Sequence, residues 1–213
     1  MKVVFSLIAA SCALGLAACD SKSDANAKNF GEVVDSTLLA LGPECVNLGH
    51  WPKELPAGSK SIEADRLAAL SAAGLVKQEP AQVQQLSVFG TATEQMTAGF
   101  RYTLTEVAAR SVVERPTVRG LFGPKDQMDS HLCWGQKRLE KVVKWLGPKR
   151  DGEYAEASVI YTAKLTEEQP WASQPIMQKT FRDVERSMAR IGREESMDLE
   201  LSSEGWESTR LRR

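Results

Sequence analysis

The first eighteen residues decide which part of this chain can belong to a folded domain at all. Lys2 is followed by the apolar run Val3-Val4-Phe5-Ser6-Leu7-Ile8-Ala9-Ala10, and the stretch closes on Leu16-Ala17-Ala18. One basic residue, a short apolar segment and small residues at its end describe a cleaved export signal. The stretch is shorter than the roughly 20 apolar residues of a permanent spanning helix. Residues 1–18 are therefore expected to be a signal peptide, and the fold must come from Cys19 onward.

Leu16-Ala17-Ala18-Cys19 resembles the lipobox of bacterial lipoproteins. That resemblance implies diacylglycerol on the Cys19 thiol, cleavage just before it, and acylation of the new amine. Several acyl chains on one residue make a stable anchor, because each buried CH₂ contributes about 0.8 kcal/mol. The chain is thus expected on the periplasmic side of a bacterial membrane, with the membrane as a partner through its N-terminal lipid. Asp20 resembles the retention signal of enteric lipoproteins and so favours the inner over the outer membrane.

With that resemblance in hand the cysteines sort themselves. Of four, Cys12 leaves with the signal and Cys19 carries lipid, so Cys45 and Cys133 are left in an oxidising compartment. A structural disulfide is the expectation. It would close a loop of roughly 90 residues, to which the chain-entropy treatment assigns up to about 4–5 kcal/mol. The alternative joins Cys45, His50, His131 and Cys133, which have the ligand types of a Cys₂His₂ metal site. Their spacings, Cys-x₄-His and His-x-Cys, match no known finger. No cofactor is otherwise expected.

Without residues 1–18 the chain keeps roughly 195 residues, enough for one sizeable domain. Lys2 is the only charge lost, leaving 26 basic and 28 acidic side chains (27 − 1 against 28). A near-neutral balance argues against a broad nucleic-acid surface, which is normally basic.

Residues 19–29, the lipidated cysteine and the polar run Ser21-Lys22-Ser23-Asp24-Ala25-Asn26-Ala27-Lys28, are expected to form a tether. Asn29-Phe30-Gly31-Glu32 matches a capping box, and Phe30, Val33, Val34, Leu38 and Leu41 share a helical face that Gly42-Pro43 ends. Residues 44–60, with His50, Trp51, Pro52 and Pro56, read as an ordered loop. A second helix spans 61–73, stopped by Gly74, and residues 100–104 alternate as a strand. Arg150-Asp151-Gly152 is a turn signal, so residues 138–147 and 155–166 are expected to pair as a hairpin. Met177, Phe181, Val184, Met188 and Ile191 mark a further helical face, and residues 197–202 a last strand. The domain is expected to span 30–206, with 207–213 as a solvated tail containing Arg210, Arg212 and Arg213.

Leu67-Ala68-Ala69-Leu70-Ser71-Ala72-Ala73-Gly74-Leu75-Val76, with Tyr102-Thr103-Leu104-Thr105-Glu106 further along the chain, resembles the recognition-helix-and-wing signature of winged-helix domains. The usual glycine after Leu-Thr is missing, with Val107 and Ala108 in its place. The resemblance implies an α+β domain of winged-helix-like helix and β-hairpin units, here with an added antiparallel sheet and one disulfide. Fold does not carry function, and an exported near-neutral chain does not meet the genome, so no nucleic-acid partner is expected.

No Gly-x-Ser-x-Gly elbow, Walker loop or dinucleotide fingerprint occurs in the sequence. Glu167-Glu168 and Glu194-Glu195 lie in polar, surface-like segments. Trp51 and Trp134 flank the two cysteines and are expected to pack on the bridge, together with Trp145, Trp171 and Trp206 in the core; an exposed pair would instead mark a partner or glycan surface. No catalytic residue is assigned. The sequence thus points to a non-catalytic binding or adaptor module of the envelope, meeting another protein or a wall component. A metal-handling lipoprotein, or a cell-wall hydrolase or its inhibitor, are the alternatives.

Overall fold

The computed structural model describes residues 21–87, 92–117, 128–152 and 154–211; the expected signal peptide, Cys19, Asp20, Arg212 and Arg213 lie outside the described residues. In chain order the elements are α1 (Ala27–Ala40), β1 (Glu44–Gly49), β2 (Lys53–Pro56), α2 (Ile62–Ala72), β3 (Val76–Leu86), β4 (Ala92–Leu104), α3 (Glu106–Ala109), β5 (Val112–Pro116), β6 (Met128–Asp151), β7 (Tyr154–Thr166), a 3-10 turn (Pro170–Ser173), α4 (Pro175–Thr180), α5 (Arg182–Met188), β8 (Glu194–Ser202) and β9 (Gly205–Ser208). The chain is mixed helix and sheet, and every described strand pairing is antiparallel.

The 24-residue strand β6 organises the molecule. Its first half pairs with β1 and β5, and its second half with β7, which continues through β8 to β9. Two hydrophobic cores sit along it. The first gathers Val46 and Leu48 of β1, Leu67 and Leu70 of α2, Leu132 and Trp134 of β6, and Phe181. The second lies under α1, where Phe30, Val34 and Leu38 meet Ala157, Val159, Tyr161, Met197, Leu199 and Trp206. The alternation of β7 explains the second core: its odd-numbered residues from 155 to 163 face α1. The sheet curls enough for Phe30 to touch Trp145 of β6 and Trp206 of β9 together, with ring centroids 5.5 and 5.0 Å away.

A separate three-stranded sheet runs β2-β4-β3, with α2 in the connection between β2 and β3. Its strands approach closely at Gly99, where a Cβ would stand 2.4 Å from the Leu55 carbonyl oxygen and from Val83 Cγ2. Ser61 caps α2 through Ala64 N–H, as the helix over 61–73 requires. The hairpin of β6 and β7 also forms as read from the sequence, with Gly152 in its turn at φ 61°.

Several expectations are corrected. The helix begins at Ala27, and its cap is Asn26, whose side chain accepts from Asn29 N–H at 2.8 Å. Asn29 is buried instead, its amide donating to Ser21 O and Asp24 O at 2.7 and 2.9 Å. The expected tether is therefore held from Ser21 onward, and Trp206 Nε1 donates to Ser23 O at 3.2 Å. Residues 44–60 hold two strands, because Val46 and Leu48 alternate inward between residues that look like loop formers. The helical face over 177–191 breaks at Phe181, which leaves the helical region (φ −110°, ψ 92°) so that its ring can be buried. The expected tail is folded in part: Glu207 and Ser208 belong to β9, and the Arg210 guanidinium donates to Ser196 O at 2.6 Å.

One ion pair pins α1 to β6. The Asp35 carboxylate accepts from Arg138 Nε and Nη2 at 2.9 and 2.6 Å, and from Leu139 N–H at 2.9 Å. The Arg138 hydrogen bonds hold the Asp35 pKa below its ordinary value against the opposing effect of burial, and Leu139 N–H adds to them. A carboxylate with a lowered folded pKa stabilises the fold above its unfolded pKa, and that contribution fades as pH falls through the folded value. Asp35→Asn is expected to cost about 1–2 kcal/mol at neutral pH, given partial solvent screening. The gap between native and variant stability should close below about pH 4. Urea titrations across pH 2–7 check this; a gap that widens in acid would refute it.

Candidate functional site

The four residues singled out as a possible metal set do not act together. Cys45 and Cys133 sit opposite one another in the β1–β6 register and are joined as a disulfide, 88 residues apart in sequence. Both sulfurs are thereby consumed. His50 lies just past the end of β1 and is exposed, while His131 pairs with Asn47 and Val113 on β6. Burial pushes the His131 pKa down and Arg115 adds to this, against Asp129 and Glu114. Among the described residues no group of three or more His, Cys, Asp and Glu is placed to hold a metal ion.

The disulfide does border a recess. A polar groove of about 220 Å³ is lined by Glu44, Cys45, Trp134, Lys137, Arg186 and Arg190. Glu44 stands between two donors: Lys137 Nζ lies 3.3 Å from Oε1, and Ser187 Oγ donates to Oε2 at 2.7 Å. Trp134 is fully buried and packs edge-on against Trp171 with centroids 6.1 Å apart, so the groove rests on rigid aromatic rings. On the bridge's other flank, Arg115 Nη2 approaches Cys45 Sγ to 3.6 Å. The groove offers cations and two carboxylates, Glu44 and Asp183 (which accepts from Arg186 Nη2), on a stiff floor, which suits a polar or charged segment of a partner. Its one hydroxyl, on Ser187, donates to the Glu44 carboxylate.

A second, open depression of about 440 Å³ lies on the face of the sheet away from α1, lined by Leu146, Lys149, Glu156, Asp198, Glu200 and Thr209. Tyr154 donates its hydroxyl to Glu156, and that bond, with Glu200 nearby, raises the Tyr154 pKa. Glu156 and Asp198 are exposed. Together with Glu200 they bring three carboxylates to this open sheet face.

The tryptophans divide unevenly. Trp134, Trp171 and Trp206 are buried, Trp51 packs partly buried on the first core, and Trp145 is 36 % exposed. Sequence reading missed Glu44, Lys137 and Arg186, which come from three distant segments; only the strand register beside Cys45 brings them together. No protein-family model, curated protein or solved structure matches the chain. The reading of function rests on its own residues.

Proposed function

We propose that the protein is a lipid-anchored envelope protein, tethered through Cys19 on the periplasmic side of a bacterial membrane, that binds a protein or wall component without catalysis. The observation that carries this reading is the fixed start of the chain. Ser21 and Asp24 receive the Asn29 amide and Ser23 receives Trp206, so an anchor at Cys19 would hold the body directly at the membrane. The groove beside the disulfide lies twelve residues back along β6 from Trp145, up to about 40 Å along an extended strand. That distance along the strand would leave it clear of the anchored end, open to a partner. A disulfide accords with an oxidising compartment.

The unit β2-α2-β3-β4, with its strand order β2-β4-β3, supports the winged-helix-like reading. Thr105 there caps the short α3 through Ala108 N–H and donates to Gly74 O, tying the turn after α2 to the end of β4. In this reading the unit is scaffold, and nucleic acid is not its partner. Asp20 favours the inner membrane for the anchor.

Mass spectrometry of the chain extracted from its own envelope tests the anchor. The expected N-terminal peptide begins at Cys19 and carries diacylglycerol and an acylated amine, and Cys19→Ser should release the protein to the soluble fraction. An unmodified Cys19 in a membrane-bound chain would sink the proposal.

A further inference from the structure

The outer half of β6 carries a side that the rest of the fold leaves uncovered. α1 covers one face of this strand: Gln136 Nε2 donates to Leu38 O at 2.9 Å, Asp35 takes Arg138 and Leu139 N–H, and further along Val142 packs on the core under α1 and Trp145 meets the Phe30 ring. Beyond Leu139, no strand among the described residues pairs with the side away from β7. Lys141, Lys144, Lys149 and Arg150 stand there, all exposed, interleaved with Val143, Trp145 and the 63 %-exposed Leu146. The acidic side chains beside this edge are Glu140, which accepts from Thr162, Asp151 in the turn, and Glu156, Asp198 and Glu200, which share the open depression with Leu146 and Lys149; Lys141, Lys144 and Arg150 lie outside that lining.

A bare edge normally invites another strand, but this one is built against pairing. Its register shifts three times, between Leu139 and Lys141, Val142 and Lys144, and Leu146 and Lys149. Pro148 removes a donor and the lysines repel an incoming strand. Cations on long apolar stems around a tryptophan and a leucine are instead what a lipid–water interface accepts. The ring and the aliphatic chain enter the headgroup region while the cations meet phosphate.

The start of the chain points the same way. Glu156 pairs with Glu200, so the β6–β7 turn and the β8–β9 turn lie at one end of the sheet. Ser23 is bonded to Trp206 at that end, and Phe30 touches both Trp206 and Trp145. Cys19 is two residues before Ser21, no more than about 7 Å away along the chain.

We infer that the edge from Lys141 to Arg150 lies on the bilayer that anchors the chain, with Trp145 and Leu146 in the interface and the four cations on anionic phospholipid. The orientation rests on the anchored reading above; the lipid-binding chemistry of the edge does not.

The test uses the full chain reconstituted into vesicles with brominated acyl chains, in phosphatidylglycerol mixtures and in pure phosphatidylcholine. Tryptophan quenching is expected in the anionic vesicles, to disappear in Trp145→Phe, and to fall at least about two-fold both in phosphatidylcholine and in a Lys141→Gln/Lys144→Gln/Lys149→Gln chain. Hydrogen exchange of residues 141–150 gives a second readout that needs no substitution: their amides should slow on vesicles relative to detergent. Quenching that ignores Trp145, or is equal in both lipids, overturns the inference. Protection of the same amides that grows with protein concentration in detergent does so too, by showing strand pairing between copies. The mass of the N-terminal peptide, taken on the same sample, separates the two readings. A lipidated chain with Trp145 unquenched overturns this inference alone, and an unlipidated chain with Trp145 quenched overturns the lipoprotein reading alone.

Discussion

Replacing both Cys45 and Cys133 by serine is expected to lower the unfolding free energy by about 4–5 kcal/mol. The bridge closes an 88-residue loop that contains α2, the whole three-stranded sheet and β5. Without it, the unfolded chain regains the freedom of that loop, while the folded state loses one tie between β1 and β6. Among the described residues β1 pairs with β6 alone, over six residues of which two are buried, and Glu44 adds bonds to Lys137 and Ser187. The loss should therefore appear first around Val46, Leu48 and Trp134, in the core that β1 covers. Urea unfolding monitored by tryptophan fluorescence measures it, as Trp51, Trp134 and Trp171 all belong to this core. Reduction of the native chain should reproduce the shift. A loss below about 1 kcal/mol would mean that the unfolded chain stays compact around this loop.

That prediction could be framed from the sequence, whereas the groove beside the bridge could not. Cysteine pairing is legible because the lipobox resemblance sets two of the four cysteines aside and leaves one pair, without geometry. The hairpin was legible for a similar local reason, a turn signal between two alternating runs. β1 was hidden because Cys45, Asn47 and Gly49 separate its two inward residues, Val46 and Leu48, and a run of six carries too little periodicity to outweigh His50, Trp51 and Pro52 just behind it. The helix start was misplaced by one turn because Asn26 and Asn29 are chemically equal caps. Only the Asn29 contacts with Ser21 and Asp24 decide between them, and those depend on where the chain enters. Phe181 shows the same limit in reverse: its spacing with Met177 and Val184 is helical, yet burying its ring required breaking the helix there. Each misreading arose where a tertiary contact chose between two locally similar options.

The second large effect belongs to the other core. Phe30→Ala is expected to cost about 3–5 kcal/mol, because the ring is fully buried and its loss leaves a cavity in the core. Trp145 on β6 and Trp206 on β9 meet it edge-on from opposite edges of the curled sheet, so its removal takes two aromatic contacts with the buried volume. Trp206 also holds Ser23 through its indole N–H. The variant should accordingly release residues 21–26, seen as faster amide exchange there at temperatures where the sheet stays folded. Phe30→Leu keeps most of the volume and should cost less, about 1–2 kcal/mol, while leaving that segment bound. The two predictions together test how the molecule is divided. Phe30 and the disulfide touch different cores and share only β6, on which Cys133 and Trp145 stand twelve positions apart. Their costs should then add to within about 0.5 kcal/mol in a chain carrying both changes. A coupling of about 1 kcal/mol or more would show that β6 transmits the loss of one core to the other, and that the two unfold as one cooperative unit around that strand.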